Sequence, residues 1–382
     1  MSTYIDVHII QNIPPSCVNR DDTGSPKSAM YGGVKRLRVS SQAWKHVTRS
    51  FFDAHLDKQD LGMRTKRVVG ILAKEIGRQA EDLENDAQGL AEEVFNAARI
   101  KLSEPRAKKS EEASKKAKES GYLLFLSNRQ IAQLAELAVE SARSGEELDK
   151  KEVKKIFKSE NSIDVALFGR MVADDADLNV DAACQVAHAI STHAAENEFD
   201  FFTAVDDDKS RAEEREDAGA GMMGAIEFSS ATMYRYATVN LDLLHENLGD
   251  AEATLRALTS FIEAFVKTMP TGKQNTFANR TLPSMVAVQV RDDQPVSLVG
   301  AFERPVLKSD TEGFVAKSVR KLVEHEKQLE EAFGVKPRHA FVVSLEDYED
   351  YEGAESLGER VAFNELADEV RNVVESRLPA SE

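Results

Sequence analysis

The sequence has very little cysteine, and it has no long uncharged apolar run. Its 382 residues include two cysteines, Cys17 and Cys184, which stand far apart and in no paired spacing. Neither a disulfide framework nor a zinc site is therefore predicted, and the two thiols fit a reducing compartment such as the cytoplasm. No stretch of about 18 apolar residues is present, and no basic leader precedes an apolar stretch near Met1, so we expect neither a membrane span nor export.

The chain also lacks an excess of positive charge, because its formal net charge is −17. Such a charge ordinarily argues against a polyanionic partner, since Lys and Arg must neutralise phosphates. The charge is unevenly distributed, however: residues 1–49 carry seven Lys or Arg against three acids, and residues 341–382 carry twelve acids against three Arg. The first segment is a local basic region, whereas the last is expected to repel nucleic acid or to meet a basic partner.

Signals for catalysis are few. His188 and His193 are five residues apart, a spacing that does not place both on one helix face for a shared metal. The segment TGKQNT at 271–276 lacks the first glycine and the Ser or Thr of a phosphate-binding P-loop, although Lys273 remains a candidate phosphate contact. Neither cysteine has a visible base partner. We therefore expect no catalytic residue, no metal, no cofactor and no enzymatic activity.

The N-terminal region predicts two strands and a helix. Apolar residues make up 42% of the chain, which is enough for a large buried core. Residues 4–10 alternate, with Asp6 and His8 opposite the apolar positions, and this predicts a half-buried strand. VKRLRVS at 34–40 predicts a second strand, and Ser41 is a good N-cap for the helix that follows.

The rest of the chain mixes helices with strands. From about residue 60 to 176 the pattern is helical, with a highly charged connection at 101–121 that we expect to be flexible. An apolar stripe with helical spacing predicts a further amphipathic helix; it consists of Val180, Ala183, Cys184, Ala187 and Ile190. Strands at 228–241, 285–290 and in RHAFVVSL, with helices ending at Pro270 and at 311–333, suggest an α+β fold with an RNA-recognition-motif-like (ferredoxin-like) sheet.

The helix predicted after Ser41 carries a basic face. Gln42, Lys45 and Arg49 lie at spacings of three and four on one side, opposite an apolar face. Ser40 and the unpaired backbone N–H groups at the helix N-terminus are suited to bind a phosphate. An ordinary solvated helix face is the competing interpretation. Nearby cations favour a polyanion instead; they are Arg20, Lys27, Arg36 and Arg38.

Residues 200–226 predict a long β-hairpin. Two apolar segments flank residues 206–221, which are polar or small and include seven acids and three bases. The arms carry more apolar side chains than a bare hairpin can bury, so we expect them to contact bases or a neighbouring subunit. These side chains are Phe201, Phe202, Met222 and Met223. Packing against the parent domain is the alternative.

Several uncommon strings occur in an order that is typical of a known family. They are SCVNRDD at 16–22, AMYGGVKRLRVSSQAWK at 29–45, DVALFGRM at 164–171, AHAISTHAAENEFDFFTAVDD at 187–207 and EFSSATMYRYATVNL at 227–241. Together they closely resemble the backbone subunit of the type I-E CRISPR Cascade complex, the CasC family. The resemblance covers residues 1–52, 160–206 and 222–300, whereas residues 60–155 and the C-terminal part look generic.

The resemblance implies a shape like a right hand. An RNA-recognition-motif-like palm would comprise residues 1–59, a helix at 177–199 and residues 227–382, with helical fingers at 60–176 and a thumb hairpin at 200–226. About six copies would polymerise along a CRISPR guide RNA, with each thumb flipping out one base per repeat. Other Cascade subunits and, through the guide, target DNA would be further partners. The backbone subunit of that family is not itself a nuclease.

The same resemblance assigns roles to individual residues. The guide phosphates would be held by Arg20, Lys27, Ser40, Gln42, Lys45 and Arg49. The bases would be wedged apart by Phe201, Phe202, Thr203 and Met223 of the thumb and by Met171 of the fingers. Phe201 stands where the family pattern has Trp, and Arg49 stands where it has Lys. The thumb tip is longer and more acidic than in the pattern, which bears on its contacts with target DNA.

Two other interpretations remain open. Backbone subunits of the related type III complexes use a thumb acid to cut target RNA, so Asp206, Asp207 and Asp208 would make this chain a metal-dependent endoribonuclease. Consecutive acids at a loop tip are more often solvated, however. A purely structural scaffold that touches no nucleic acid is the third interpretation.

Overall fold

A mixed sheet with helices on both faces forms the body of the protein. The computed structural model describes residues 2–105, 117–172, 174–204, 222–345 and 357–379. Within these ranges the main sheet has 10 strands, and a separate helical subdomain is inserted after the first part of the sheet. The α+β class predicted from the sequence is confirmed. No helix in the described ranges is long and apolar enough to cross a membrane.

The elements are numbered here in chain order. The strands are β1 (Tyr4–Ser16), β2 (Ser28–Tyr31), β3 (Val34–Val39), β4 (Gly62–Thr65), β5 (Leu102–Ser103), β6 (Glu119–Ser120), β7 (Leu124–Ser127), β8 (Cys184–Val186), β9 (Ala189–Ser191), β10 (Glu198–Ala204), β11 (Met222–Asn240), β12 (Met285–Arg291), β13 (His339–Ser344) and β14 (Glu359–Arg360). The helices are α1 (Ser41–His55), α2 (Val68–Gln79), α3 (Ala87–Ala97), α4 (Asn128–Ser144), α5 (Lys150–Lys158), α6 (Ile163–Phe168), α7 (Leu241–Leu248), α8 (Ala251–Lys267), α9 (Gln274–Phe277), α10 (Phe314–Phe333) and α11 (Phe363–Glu375).

Strand β1 lies at the centre of the main sheet, between β11 and β12. Both neighbours are antiparallel to it, so that Tyr4 faces Asn240 on one side and Arg291 on the other. The strand order is β14-β13-β12-β1-β11-β9-β3-β2, and β8 and β10 also pair with β11. Because β11 is long, its second half pairs with β1 and its first half pairs with β10 as a hairpin that leaves the sheet.

Helices cover both faces of β1, and the prediction of a half-buried strand is therefore wrong. Ile5, Val7 and Ile9 pack with α1 and α8 on one face, whereas Ile10 packs with α10 on the other. Asp6 and His8 are fully buried. Alternation of polar and apolar residues indicates one wet face only when the polar positions find no internal partners, and here they do.

The internal partners form a buried charged network around Arg291. Its guanidinium donates hydrogen bonds to Asp6 at 3.1 Å, to Gln289 at 2.6 Å and to Glu326 of α10 at 3.4 Å. The Tyr236 hydroxyl donates to Asp6 at 2.9 Å. Burial raises the pKa of Asp6, and it raises that of Glu326 to about 7. One guanidinium thus serves two carboxyls, and the more distant of them, on Glu326, is partly protonated near neutral pH.

The helical subdomain has a hydrophobic core of its own. Helices α2, α3, α4 and α5 contribute to it, and fully buried side chains such as Leu72, Val94, Leu134 and Phe157 form its centre. Strands β4 and β7 pair at its base, next to α6. Of the charged connection predicted at 101–121, residues 106–116 lie outside the described residues.

The helix predicted over Val180 to Ile190 is wrong. The structure has strands β8 and β9 there, which pair with β11, and β9 also pairs with β3. The apolar residues have helical spacing, but each strand has only three residues, which is too short for an alternating pattern to show. Hydrogen bonding to the edge of β11 decided the conformation.

Glu326→Gln is expected to stabilise the protein above neutral pH. The pKa of Glu326 is raised from 4.5 to about 7, so between these values the folded state binds a proton that the unfolded state releases. The free energy of unfolding therefore falls as pH rises through this window. The amide removes this loss, and we expect a gain of roughly 1–3 kcal/mol at about pH 8 and no gain at about pH 5, measured by urea unfolding.

The exposed Glu324 of the same helix provides the control. Glu324→Gln should leave the pH dependence of unfolding as it is in the wild type. A loss of stability in Glu326→Gln at about pH 8 would mean that Arg291 requires both negative charges, and the account of the network would then be wrong.

Candidate nucleic-acid interface

Cations from three separate segments lie around the N-terminus of α1. We call this surface the basic groove and define it by Arg20, Lys27, Arg38, Lys45 and Lys273. Among the described residues none of these five forms an ion pair, although the chain as a whole is acidic. Positive side chains that form no ion pair with the described carboxylates remain available to an external anion.

Backbone hydrogen bonds hold the loop at 17–27 against α1 and β3. The side chain of Asn19 accepts the backbone N–H of Ser40 at 2.9 Å. The backbone N–H of Lys27 donates to Asn19, and that of Arg38 donates to Lys27, both at 2.9 Å. Exposed Arg20 and half-buried Lys27 are thereby fixed beside the start of the helix.

The loop that carries Lys273 closes the other side of the groove. A side chain at Gly272 would place its Cβ 2.3 Å from the carbonyl oxygen of Val18, so only glycine allows the two backbones to approach this closely. Burial raises the pKa of the Cys17 thiol, and the charges of Arg20 and Lys273 act in the opposite direction. Residues 18–24 and Gly272 line a cavity of about 550 Å³.

The first two turns of α1 extend the groove. The N-cap is Ser40, with extended φ and ψ of −68° and 148°, so the prediction of Ser41 as N-cap is off by one residue. The Ser40 side chain is buried and accepts the N–H of Ala43, whereas the N–H groups of Ser41 and Gln42 have no intrahelical acceptor. The Gln42 side chain is exposed, and the Lys45 ammonium lies 5.4 Å above the ring of Phe168.

Arg49 lies one turn further along α1, but it is engaged within the protein. Its guanidinium pairs with Asp164 of α6 at 3.4 Å and lies 4.6 Å above the ring of Phe125. Burial raises the pKa of Asp164 even though Ser162 and Arg49 favour its charged form. We therefore leave Arg49 out of the basic groove, since its contacts tie the sheet body to the helical subdomain.

Arg36 is also internal. It is fully buried, and its guanidinium donates to the backbone carbonyls of Tyr31, Ser191 and Phe302. Arg38, two residues further along β3 and therefore on the same face of the strand, is only half-buried and reaches His188 at 3.0 Å. The two arginines therefore differ in their surroundings: Arg36 is enclosed by backbone carbonyls, whereas Arg38 lies nearer the end of the strand with His188 and Ser28 at the surface.

Met171 follows the end of α6 by three residues, and the ring of Phe168, the last residue of that helix, lies 5.4 Å from the Lys45 ammonium. The Met171 side chain is 79% exposed. The preceding residue, Arg170, is buried, donates to the carbonyls of Leu178 and Phe157, and forms a two-way backbone bridge with Val180. Gly169 permits this turn with a φ of 79°. The exposed side chain of Met171 therefore follows a backbone segment that the hydrogen bonds of Arg170 hold in place.

The hairpin of β10 and β11 presents aromatic residues on one of its faces. Phe199 and Phe201 are 69% and 66% exposed and alternate with Phe202, whose ring lies against Gly224 on the facing strand. Phe199 was not singled out from the sequence, although a two-residue period from Phe201 identifies it. Thr203 lies opposite Met223 in the register, and their side chains lie outside the described residues, as do residues 205–221 with Asp206, Asp207 and Asp208.

Within the described ranges no group of three His, Cys, Asp or Glu side chains is arranged to hold a metal ion. His193 is buried and accepts the backbone N–H of Thr232, so its role is structural, whereas His188 is exposed. The surface therefore offers cations, backbone N–H groups and exposed apolar side chains, which are the groups that hold a phosphate chain and stack on bases.

Comparisons with known proteins identify a family and two similar solved structures. A family model described as "CT1975-like protein" matches residues 5–369. A solved structure titled "CRISPR RNA-guided surveillance complex, pre-nicking" contains a chain that is 35% identical, with a TM-score of 0.82 over 97% of this chain and 99% of that chain. A second, titled "CRISPR RNA-guided surveillance complex", contains a chain that is 30% identical, with a TM-score of 0.73 over the same shares. No curated protein matches.

Arg49→Met is expected to destabilise the fold, because it leaves Asp164 buried without its cation. We expect a loss of about 2 kcal/mol in the free energy of unfolding. Adding Asp164→Asn should restore part of this loss, since the amide carries no buried charge. Thermal unfolding of both variants measures the effect.

The matched control is Lys45→Met, one turn earlier on the same helix face and without an ion pair. Its stability should stay within about 0.5 kcal/mol of the wild type. Equal losses in the two methionine variants would contradict the distinction between Arg49 as an internal contact and Lys45 as a free cation.

Proposed function

The chain belongs to the CT1975-like protein family, and we propose that it is a guide-RNA-binding backbone subunit of a CRISPR surveillance complex of type I-E. The observation that carries this proposal is the basic groove, in which five cations that form no ion pair with any described residue meet around one helix N-terminus in a protein of net charge −17. Solved structures titled as RNA-guided surveillance complexes, to which the chain is similar over nearly its whole length, support it.

The groove is suited to a ribose-phosphate chain rather than to particular bases. Arg20, Lys27 and Lys273 lie beside a helix start with free N–H groups, and Lys45 continues the line along α1. Such groups contact phosphate oxygens and position a strand without reading its sequence. Pairing between guide and target then supplies sequence recognition.

The hairpin and the subdomain give the proposed assembly its geometry. In this proposal the sheet body is the palm, with an RNA-recognition-motif-like role, residues 60–176 are the fingers, and residues 200–226 are the thumb. Phe201 of β10 and Met171, just after α6, have exposed apolar side chains. We assign to them the interruption of base stacking between consecutive copies. Copies that repeat head to tail along one RNA would form a helical filament of about six subunits, joined by other Cascade subunits.

We further propose that the subunit is not a nuclease. A metal-dependent cleavage site needs several oxygen ligands that converge on one ion. The groups in and around the groove are cations and amides instead, and the acids of the groove loop, Asp21 and Asp22, are exposed. Asp21 is occupied by hydrogen bonds from the N–H groups of Thr23 and Ser25 within its own turn.

Replacing both Arg20 and Lys45 by Ala is expected to weaken RNA binding by at least about tenfold, equally for RNAs of different sequence. Each lost phosphate contact lowers the salt dependence, so the slope of log affinity against log salt should decrease in magnitude by about 1.4 for a single strand. Fluorescence anisotropy with two unrelated RNAs over a salt series measures both quantities.

The control is a pair of exposed lysines on the other face of the sheet, Lys327 of α10 and Lys336 just beyond it. Replacing both by Ala makes the same change in net charge but should leave affinity and slope close to wild type. Equal effects of the two double variants would mean that only overall charge matters, and a normal slope in the Arg20 and Lys45 variant would remove the groove from the proposal.

Incubation of the assembled complex with matched RNA and magnesium is expected to leave the RNA intact. Gel analysis over time, with and without a chelator, measures this. Cleavage at regular intervals that is lost on changing Asp206, Asp207 and Asp208 to Ala would instead support the metal-dependent endoribonuclease, and it would contradict the non-catalytic role proposed here.

A further inference from the structure

His188 lies at the edge of the basic groove, between β8 and β9, and its partner there is a cation. Its Nδ1 is 3.0 Å from a terminal guanidinium nitrogen of Arg38. An arginine N–H can only donate, so Nδ1 accepts this hydrogen bond and the imidazole of the unliganded protein carries its proton on Nε2. The hydrogen bond from Arg38 thus favours the neutral form of His188 in the unliganded protein.

Both residues are held in place and are open to solvent. The Arg38 guanidinium also donates through Nε to the carbonyl of Ser28 at 3.2 Å, which leaves its other N–H groups for His188 and for an external acceptor. His188 is exposed on the turn between two short strands that pair with β11 and β3. Among the described residues, the charged groups that act on His188 are Arg38 of β3 and Lys27 of the 17–27 loop.

Resting on the proposed function, we propose that His188 and Arg38 form a phosphate site for RNA that takes up one proton from solvent when the phosphate binds. In the free protein a second proton on Nδ1 would break the hydrogen bond from Arg38 and place three positive groups together. A phosphate between the two side chains removes this conflict. Arg38 then donates to one phosphate oxygen and the newly protonated Nδ1 donates to another.

The direction of the linkage follows from the free state. Burial, with the charges of Arg38 and Lys27, lowers the pKa of His188 below its usual value of 6.5. A bound phosphate raises it, because an opposite charge favours the protonated imidazole. Between the two values binding consumes a proton, so RNA affinity increases as pH decreases.

The test measures RNA affinity of the full chain between about pH 8 and pH 6, a range in which neither phosphodiesters nor uridine titrate, with an oligouridylate as the probe. We expect the wild type to bind roughly three to ten times more tightly at the lower pH, which corresponds to a pKa change of up to about one unit. Calorimetry in two buffers of different ionisation enthalpy should show proton uptake on binding.

His188→Gln keeps an acceptor for Arg38 and a donor for phosphate, but it does not titrate. Whatever its affinity at about pH 8, it should lose both the pH dependence and the proton uptake. Two controls should keep the wild-type dependence: His46→Gln, an exposed histidine of α1, and Glu326→Gln, which removes the group with a pKa of about 7 in the Arg291 network.

A wild-type affinity that does not change with pH would overturn the inference, and so would an equal pH dependence in His188→Gln or loss of the dependence in either control. Absence of RNA binding at every pH is a different result. It would overturn the proposed function itself, and the inference with it.

Discussion

The antiparallel ladder between β1 and β11 determines where the groups of the basic groove meet. It runs from Tyr4 opposite Asn240 to Ser16 opposite Ser229, and it joins parts of the chain that the whole helical subdomain separates. A shift by one residue would exchange the two buried faces of β1, so the register is strongly specified. At the Ser16 end, β1 continues into the 17–27 loop and β11 continues into the hairpin. The cations of this loop and the exposed aromatic residues of the hairpin therefore both follow the same end of the β1–β11 ladder.

Arginine has two distinct uses in this protein. The buried ones, Arg36, Arg170, Arg235 and Arg291, donate mainly to carbonyl and amide oxygens, and no lysine is buried among the described residues. Arg235 lies 3.7 Å above Trp44 and donates to Gln11 at 2.6 Å. Burial lowers its pKa to about 9 and that of Arg170 to about 10, so both stay charged at neutral pH. A planar guanidinium with several donors can be satisfied internally in this way, whereas an ammonium group is better kept in water.

How much the sequence predicted depended on the length of each pattern. Helix α1, helix α8 and strand β12 have patterns long enough to be recognised, and their structures follow them. The short strands β8 and β9 were predicted as a helix, since three residues cannot show a period. Burial of Asp6 and of Arg36 was not predictable either, because it depends on partners such as Arg291 and the Ser191 carbonyl that lie far away in sequence. The basic face of α1 was recognised, but the Arg49 ion pair with Asp164 was not, for the same reason.

The acidic composition of the chain is compatible with a polyanionic partner because electrostatic interactions across water are short-ranged. Screening reduces the influence of charges beyond about 8–10 Å at physiological salt. A phosphate in the groove would therefore be affected mainly by the nearest groups, which are helix N–H groups and cations that pair with no described carboxylate. The net charge of −17 acts over the rest of the surface, where it disfavours binding of nucleic acid outside the groove. In the proposed assembly this combination would let each copy hold its own stretch of RNA and keep its outer surface free of other polyanions.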